Sequence, residues 1–262
     1  MTILERIVEE KKEEVARLKA FGIKPPEDNS CKRVGFKNAL MQDEDVSIIA
    51  EVKKASPSKG VICKDFEPLR IANDYEIGGA RAISVLTDEK FFQGSLSYLN
   101  KVKKLVSLPV LRKDFIIDHI QVEEADLWGA DAILLICAIL DDVLLKELLE
   151  HAKQRELDCL VEVHNEQEAE RALINGATLL GINNRNLKDF SVSLDTTIKV
   201  RRVIPEEIPV VSESGIKTRE DIERLIPSGI QAVLIGEHLV KSDNRVEKIR
   251  ELLGQKSKYA SS

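Results

Sequence analysis

The sequence predicts an α/β fold, a single (β/α)8 TIM barrel with an extra N-terminal helical segment. Three observations predict it: a repeated motif in which a Gly precedes a short apolar run, a second apolar run between successive repeats, and helical periodicity in the segments between the runs. In each repeat a helical stretch ends at the Gly, which is favoured just past a helix because it adopts the left-handed conformation freely. The four repeats start at Gly79, Gly129, Gly176 and Gly229.

The apolar runs predict eight strands, which begin near residues 46, 80, 109, 131, 159, 179, 209 and 232. Because the runs are short and continuously apolar, they are typical of strands buried on both faces of a parallel sheet. Alternation of eight such strands with helices predicts a closed barrel, and an open doubly wound sheet remains the alternative because a repeat does not prove closure. The apolar stripes of the helices include Leu69, Ala72 and Tyr75 before strand 2, Leu144, Leu145, Leu148 and Leu149 before strand 5, and Ile222, Leu225 and Ile226 before strand 8, with N-caps at Asp118 and Thr218.

The chain divides into three predicted parts: an N-terminal helical extension packed on the barrel (residues 1–45), the barrel (46–254) and a flexible tail (255–262). Thr2 and Glu5 form a capping box, which predicts the start of a helix. The helix carries a stripe that has to dock on the barrel, either as a stabilising element or as a lid over one end. The stripe consists of Leu4, Ile7, Val8, Lys11, Val15 and Leu18.

Composition and charge exclude several classes of protein. Hydrophobic residues make up 43% of the 262 residues, which is enough for a sizeable core. The longest apolar run, residues 132–140, is far shorter than the ~20 residues of a membrane span. The net charge of −6 gives no electrostatic footprint for nucleic acid. Four widely spaced cysteines and the absence of an N-terminal apolar segment predict a cytoplasmic protein. The four histidines have no metal-ligand spacing, so we expect no metal.

Charged residues follow three of the predicted strands, at the end of a barrel where active sites lie. Glu51 and Lys53 end strand 1 and point to the same side, because side chains alternate along a strand. Lys113 and Glu162 arrive at the same level from strands 3 and 5. Two carboxylates and two ammonium groups in a partly desolvated cup suit general acid–base catalysis, whereas a structural ring of ion pairs is the alternative interpretation.

Glycines follow the last two strands, where barrel enzymes commonly bind phosphate through backbone N–H groups. Ser214 and Gly215 follow strand 7, and Gly236 and Glu237 follow strand 8. Glu237 would repel a phosphate unless its side chain turns away, and the glycines could also serve only to make tight turns. Phe92 and Phe115 lie in strand-end loops, where they either sandwich an aromatic ring or fill the core.

Six segments at these strand ends resemble one enzyme family: EVKKASPS (51–58), FFQG (91–94), LRKDF (111–115), LVEVH (160–164), GINNRNL (181–187) and SESGI (212–216). On these segments the chain is identified as a member of the indole-3-glycerol-phosphate synthase family, and the resemblance extends from the N-terminal helix to about Leu252. It implies a cofactor-independent lyase of tryptophan biosynthesis. Such an enzyme decarboxylates 1-(2-carboxyphenylamino)-1-deoxyribulose 5-phosphate as it closes the indole ring, releasing indole-3-glycerol phosphate, CO₂ and water.

The resemblance also implies roles for single residues. Lys113 would be the general acid of ring closure, and Glu162 the general base or acid of the dehydration. Glu51 would be a third catalytic carboxylate, and Lys53 would neutralise substrate charge or assist loss of the hydroxyl group. The implied substrate contacts are Ser56, Phe92, Phe115, Leu134, Asn183, Arg185, Leu187 and Glu213, and the implied phosphate site consists of Ser214, Gly215, Gly236 and Glu237.

One segment departs from the family pattern, and it concerns the phosphate site. Many members have a small residue and then Leu-Met after the last glycine, whereas this chain has GEHLV at 236–240. A phosphosugar isomerase on the same scaffold and a non-catalytic binding barrel remain alternative functions. The expected partner is a small phosphorylated aromatic substrate, with neither nucleic acid nor membrane. We expect a monomer and leave open an association with other enzymes of the tryptophan pathway.

Overall fold

Eight short apolar segments form parallel strands that close into a barrel in the computed structural model, which describes residues 2–42, 45–187 and 189–255. Each strand begins within two residues of its predicted start. The strands are β1 (Ser47–Val52), β2 (Ala82–Leu86), β3 (Val110–Lys113), β4 (Ala132–Ile136), β5 (Asp158–Val163), β6 (Leu180–Asn183), β7 (Val210–Glu213) and β8 (Ala232–Ile235).

Each strand pairs with its neighbours in the chain, and the last strand pairs with the first. Ile49 of β1 is in register with Leu234 of β8 on one side and with Ala82 of β2 on the other. This closure confirms the predicted (β/α)8 barrel and excludes the open doubly wound sheet.

Helices surround the barrel and occupy the connections between strands. Among the described residues no helix is long and apolar enough to cross a membrane. The α-helices are α1 (Ile3–Phe21), α2 (Phe36–Leu40), α3 (Pro68–Gly78), α4 (Glu89–Phe92), α5 (Leu96–Leu105), α6 (His119–Leu127), α7 (Asp142–Gln154), α8 (Glu166–Ile174), α9 (Asp195–Val200), α10 (Arg219–Leu225), α11 (Glu237–Val240) and α12 (Arg245–Leu252). Short 3₁₀ helices lie at Cys137–Ile139, Arg201–Val203 and Ile226–Ser228, and a small hairpin pairs Ala55–Ser56 with Gly60–Val61 in the loop after β1.

The alternation of side chains along the strands produces two apolar cores. Ile49 of β1 belongs to the core inside the barrel, whereas Ile48 and Ala50 belong to the core between the barrel and the helices. Each strand is therefore covered by apolar side chains on both faces, which explains why its sequence is a continuous apolar run. The inner core contains Ile49, Ala82, Leu111, Ala132, Leu134, Ile136, Leu160, Leu179, Val211, Ala232 and Leu234, with Phe36 and Leu40 of α2.

Two of the predicted helical stripes are partly wrong. In α3 the buried residues are Ile71, Ala72 and Tyr75, whereas Leu69 is 40% exposed. The helix begins at Pro68, so Leu69 lies in its first turn and points away from the strands. Ile226 is similarly exposed because the chain leaves α10 for a 3₁₀ turn at that residue. The caps at Asp118 and Thr218 are confirmed.

The N-terminal segment reaches both ends of the barrel. Helix α1 begins with the predicted capping box of Thr2 and Glu5 and packs at the carboxyl ends of the strands. Helix α2 lies at the amino ends, where the amide of Lys37 donates to Asp158 at the start of β5. The predicted flexible tail lies, beyond residue 255, outside the described residues.

Candidate active site

The floor of the site is formed by the inward side chains at the carboxyl ends of the strands. In β1, β3, β5 and β7 an inner-core residue is followed two positions later by a charged one: Ile49 by Glu51, Leu111 by Lys113, Leu160 by Glu162 and Val211 by Glu213. Because side chains alternate along a strand, these four charges sit on top of the apolar interior of the barrel. Asn183 of β6 completes the ring and is in register with Glu213.

Lys113 occupies the middle of this floor. Its ammonium nitrogen lies 3.3 Å from Oε2 of Glu162 and 3.4 Å from Oε2 of Glu213. Burial alone would lower the pKa of Lys113, but the negative charges of Glu213, Glu162 and Glu51 outweigh it and raise the pKa well above its ordinary value. Lys113 therefore carries its proton at neutral pH and presents an ammonium group to the cavity.

The two glutamates beside Lys113 are in opposite situations. Burial raises the pKa of Glu213 to about 7, and the nearby charge of Glu162 adds to this effect. Burial acts on Glu162 as well, but Lys113 and His164 overcome it, so the pKa of Glu162 lies below its ordinary range. Glu162 is thus ionised at neutral pH, whereas Glu213 exchanges a proton near pH 7. A pair of carboxyl groups with separated pKa values is characteristic of acid–base sites.

His164 joins the site although its position was not predicted from the sequence. Its Nε2 lies 3.3 Å from Glu162, an ion-pair contact without hydrogen-bond geometry, and its Nδ1 lies 3.1 Å from Glu168. Burial lowers the pKa of His164, but the two glutamates raise it to about 10. A signal exists in the sequence, since His164 follows Glu162 by two residues, the same spacing as Glu51 and Lys53.

Glu51 and Lys53 form an ion pair at the end of β1, as the strand pattern predicts. Glu51 is 4% exposed and packs against the backbone of Gly236. A Cβ atom at Gly236 would lie 2.1 Å from the Glu51 carboxylate, and a Cβ at Gly181 would lie 2.1 Å from the Glu213 carboxylate. These two glycines therefore leave the space in which the carboxylates sit.

The residues after β7 and β8 form a group that we call the anion cradle: Ser214, Gly215 and Gly236. Ser214 has φ 66° and Gly215 has φ 87°, a left-handed pair that is costly for Ser and is held in place by Asn184. The Asn184 amide donates to the carbonyl oxygens of Glu213 at 3.0 Å and of Ser214 at 3.1 Å. Strain of this kind concentrates at ligand-binding sites.

Glu237 follows the cradle and is turned toward two lysines. Lys59, from the loop after β1, donates to both of its oxygens at 2.9 and 2.8 Å, and Lys241 donates at 2.7 Å. Partial burial would raise the pKa of Glu237, but these hydrogen bonds lower it to about 2. Lys59 and Lys241 therefore reduce the repulsion between the carboxylate of Glu237 and an anion bound in the cradle.

An aromatic wall lies on another side of the cavity. The rings of Phe92 and Phe115 have centroids 6.0 Å apart and are inclined by 36°. Ile3, Leu4 and Ile7 of α1 also line the cavity, a contribution that the sequence patterns do not predict. The apolar stripe of α1 nevertheless indicates that these residues pack on something.

Every residue that the sequence assigns to the site lines one cavity of about 760 Å³. Asn183 accepts a hydrogen bond from the amide of Arg185, whose guanidinium reaches the carbonyl oxygen of Phe190 at 3.4 Å. The cavity thus has an acid–base floor, an anion cradle and an apolar wall. The lining includes Glu51, Lys53, Ser56, Phe92, Lys113, Phe115, Leu134, Glu162, Asn183, Arg185, Leu187, Glu213, Ser214, Gly215, Gly236 and Glu237.

Solved structures of distant sequence share the fold. The chain superimposes on thiamine phosphate pyrophosphorylase from Pyrococcus furiosus with a TM-score of 0.62 at 17% identity, covering 80% of this chain and 94% of that one. It superimposes on 3-hexulose-6-phosphate synthase from Salmonella typhimurium with a TM-score of 0.65 at 13% identity, covering 79% of this chain and 96% of that one. At such identities the likeness concerns the barrel alone.

Sequence relatives are much more similar. Indole-3-glycerol phosphate synthase of Desulfotalea psychrophila is 54% identical over 254 residues, covering 95% of this chain and 98% of that protein. The protein of the same name from Priestia megaterium is 46% identical over 260 residues, covering 98% and 100%. The family model described as indole-3-glycerol phosphate synthase matches residues 4–252. With this match over nearly its whole length and relatives of about half identical sequence, the chain belongs to the indole-3-glycerol phosphate synthase family.

Proposed function

We propose that this chain converts 1-(2-carboxyphenylamino)-1-deoxyribulose 5-phosphate into indole-3-glycerol phosphate, CO₂ and water, with the residues of the cavity in the roles given below. The observation that carries the proposal is the position of Lys113, whose ammonium group lies between Glu162 and Glu213 on a floor shared with the anion cradle and the aromatic wall. A substrate with a phosphate at one end and an aryl ring at the other fits such a cavity.

Binding fixes the two ends of the substrate. The backbone N–H groups of Ser214, Gly215 and Gly236 hold the phosphate, and the Lys53 ammonium adds positive charge nearby. The aryl ring lies against Phe92 and Phe115. Holding both ends brings the aryl carbon that bears the carboxylate close to the ketone carbon, which removes most of the entropic cost of ring closure.

Lys113 acts in the ring closure. The aryl carbon forms a bond with the ketone carbon, the C=O π bond breaks, and the oxygen takes a proton from Lys113. The raised pKa of Lys113 keeps the proton on nitrogen until negative charge develops on the oxygen. Stabilisation of such charge in a desolvated site is commonly a large contribution to catalysis.

Loss of CO₂ and of water completes the reaction. The bond from the ring carbon to the carboxylate breaks, and its electron pair restores the aromatic ring. Glu162 then accepts a proton from the neighbouring methylene carbon while the C–O bond breaks, and Lys53 gives the hydroxyl group a proton so that it leaves as water. Glu162 passes its proton back to Lys113, and Lys53 regains its charge from water, which supplies the one proton that the overall reaction consumes; the carboxylate of Glu51 stabilises the recharged Lys53.

A turnover assay with the anilino-ribulose phosphate tests the proposal. Indole fluorescence should appear together with one CO₂ per product, and Lys113→Ala and Glu162→Gln should both lose most of the activity. Fluorescence without CO₂, or none at all, would reject the lyase. Interconversion of a ketose phosphate and an aldose phosphate, followed by a coupled dehydrogenase, would instead support the isomerase.

If Lys113→Ala and Glu162→Gln retained full turnover, the proposed activity would be supported, but the catalytic roles assigned to Lys113 and Glu162 would be rejected. A monomeric state and a cytoplasmic location are further proposals, and the location is supported by the wide spacing of the four cysteines. Sedimentation of the purified protein, alone and mixed with other enzymes of the tryptophan pathway, tests the oligomeric state and the association.

A further inference from the structure

Lys11 of α1 is a buried cation outside the floor of the site. It is 1% exposed, and its ammonium nitrogen lies 2.9 Å from Asp88, 2.9 Å from Asp114 and 2.8 Å from Glu14. Removing an ammonium group from water is costly unless carboxylates compensate it, and three of them do so here. Asp88 follows β2 and Asp114 follows β3, so Lys11 joins the N-terminal helix to the ends of two barrel strands.

The two aspartates that hold Lys11 also hold the backbone of the aromatic wall. Oδ1 of Asp88 accepts hydrogen bonds from the amides of Phe91 at 2.7 Å and Phe92 at 3.2 Å. Oδ1 of Asp114 accepts from the amide of Phe115 at 2.8 Å. The backbone of Phe92 and that of Phe115 are thus each one hydrogen bond away from a carboxylate bound to Lys11.

The two aspartates depend on Lys11 to different degrees. Asp114 is also contacted by Arg112 at 3.2 Å and by the Thr87 hydroxyl at 2.5 Å. Oδ2 of Asp88 has no hydrogen-bond partner among the described residues beyond its ion-pair contact with Lys11. Loss of the Lys11 charge therefore displaces Asp88 more than Asp114. Because Asp88 holds the amide of Phe92, Phe92 moves with it.

We propose that Lys11 is a positioning residue that sets the separation of Phe92 and Phe115, and so the fit of the substrate's aryl ring. The proposal rests on the function proposed above, which supplies the aryl ring. Under this proposal α1 is a fixed part of the cavity wall and does not open as a lid. Lifting α1 would remove Lys11 and leave the charge of Asp88 buried without compensation.

The experiment compares Lys11→Met with Lys12→Met. Methionine keeps the length of the side chain and removes the charge, and Lys12 is a matched control because it is exposed on the same helix and pairs only locally with Glu9. Three quantities are measured: kcat and KM for the anilino-ribulose phosphate, and the inhibition constant of inorganic phosphate, which has no ring.

For Lys11→Met we expect kcat/KM to fall about tenfold or more, mainly through KM, because a small misplacement of a binding group is expensive. The inhibition constant of inorganic phosphate should stay within twofold of the wild type, and Lys12→Met should match the wild type throughout. A KM within twofold of the wild type would overturn the proposal. An equal loss of phosphate binding would also overturn it, since that outcome indicates a general collapse of the site.

Asp88→Asn covers the case in which Lys11→Met does not fold. The amide keeps an oxygen for the Phe91 and Phe92 N–H groups but removes the charge that faces Lys11, and the same outcomes apply to it. Binding of anthranilate, followed by its own fluorescence, separates this proposal from the proposed function. If the wild type shows no turnover, the proposed function fails. The role of Lys11 is then still decided by whether Lys11→Met weakens the binding of anthranilate more than the binding of inorganic phosphate.

Discussion

The buried carboxyl group of Glu213 gives a quantitative prediction about stability, tested by Glu213→Gln. Burial raises the pKa of Glu213 from an ordinary 4.5 to about 7 in the folded chain. Between these two values the folded protein binds more protons than the unfolded chain, so the free energy of unfolding falls as the pH rises and levels off above about pH 7. A pKa change of this size corresponds to about 3 kcal/mol.

Glutamine has the same shape and does not ionise, so Glu213→Gln should remove this pH dependence. Urea unfolding at pH 5 and at pH 8.5 measures it: relative to the wild type, the variant should gain up to about 3 kcal/mol more at pH 8.5 than at pH 5. Glu150→Gln, at an exposed position of α7, should show equal differences at both pH values. The same stability difference at both pH values for Glu213→Gln, or a larger gain at pH 5, would refute the reasoning.

Three further predictions concern activity. Lys113→Met should lower kcat on the order of 10²- to 10⁴-fold with a nearly unchanged KM, because the acid of ring closure is lost; a loss below tenfold in the fluorescence assay contradicts it. Gly236→Ala should lower kcat/KM about a hundredfold with little change in Tm. A Cβ atom at this position would lie 2.1 Å from the Glu51 carboxylate and force that group to move. Wild-type activity in this variant would contradict the prediction, because it would show that the carboxylate has room. Glu237→Gln should tighten inhibition by inorganic phosphate by about two- to fivefold, because it frees the ammonium group of Lys59, and weaker inhibition would show that Glu237 orders the loop.

The fold was predictable because its signals are local. A short apolar run marks each of the eight strands, and a glycine precedes four of them. Closure of the barrel depends on the pairing of β1 with β8, which the runs do not specify. The exposed Leu69 shows the limit of such signals. The sequence of α3 allows an apolar face that includes either Leu69 or Ile71. Which of the two residues is buried depends on how the helix docks on the barrel.

The floor of the site was predictable for a similar reason. Glu51, Lys113 and Glu162 each end an apolar strand on its inward side, and a barrel brings all strand ends to one level. Glu213 obeys the same rule, yet only the resemblance to a family assigned it to the site. His164 was missed although it ends the same strand as Glu162, because the histidines were considered only as metal ligands and the contact of His164 with Glu162 and Glu168 is visible only in the structure.

The contacts of Lys11 could not be predicted from sequence. Its place within an apolar stripe indicates a buried and paired lysine, but Asp88 and Asp114 lie far along the chain in loops after two different strands. A pattern along one helix carries no information about which distant carboxylates it meets. Only the three-dimensional arrangement connects this lysine to Phe92 and Phe115.

The contact of the N-terminal segment with both ends of the barrel has a consequence for biosynthesis. Phe36 and Leu40 of α2 pack on inner-core residues that come from β1 to β8, so their binding place is complete only after β8 has paired with β1. Helix α2 precedes all eight strands in the chain, and its docking place is therefore completed only when the last of them has been made. In a nascent chain that lacks β8, the apolar surface on which Phe36 and Leu40 pack is incomplete, and closing the barrel completes it in the same step that brings the last glycine of the anion cradle into place.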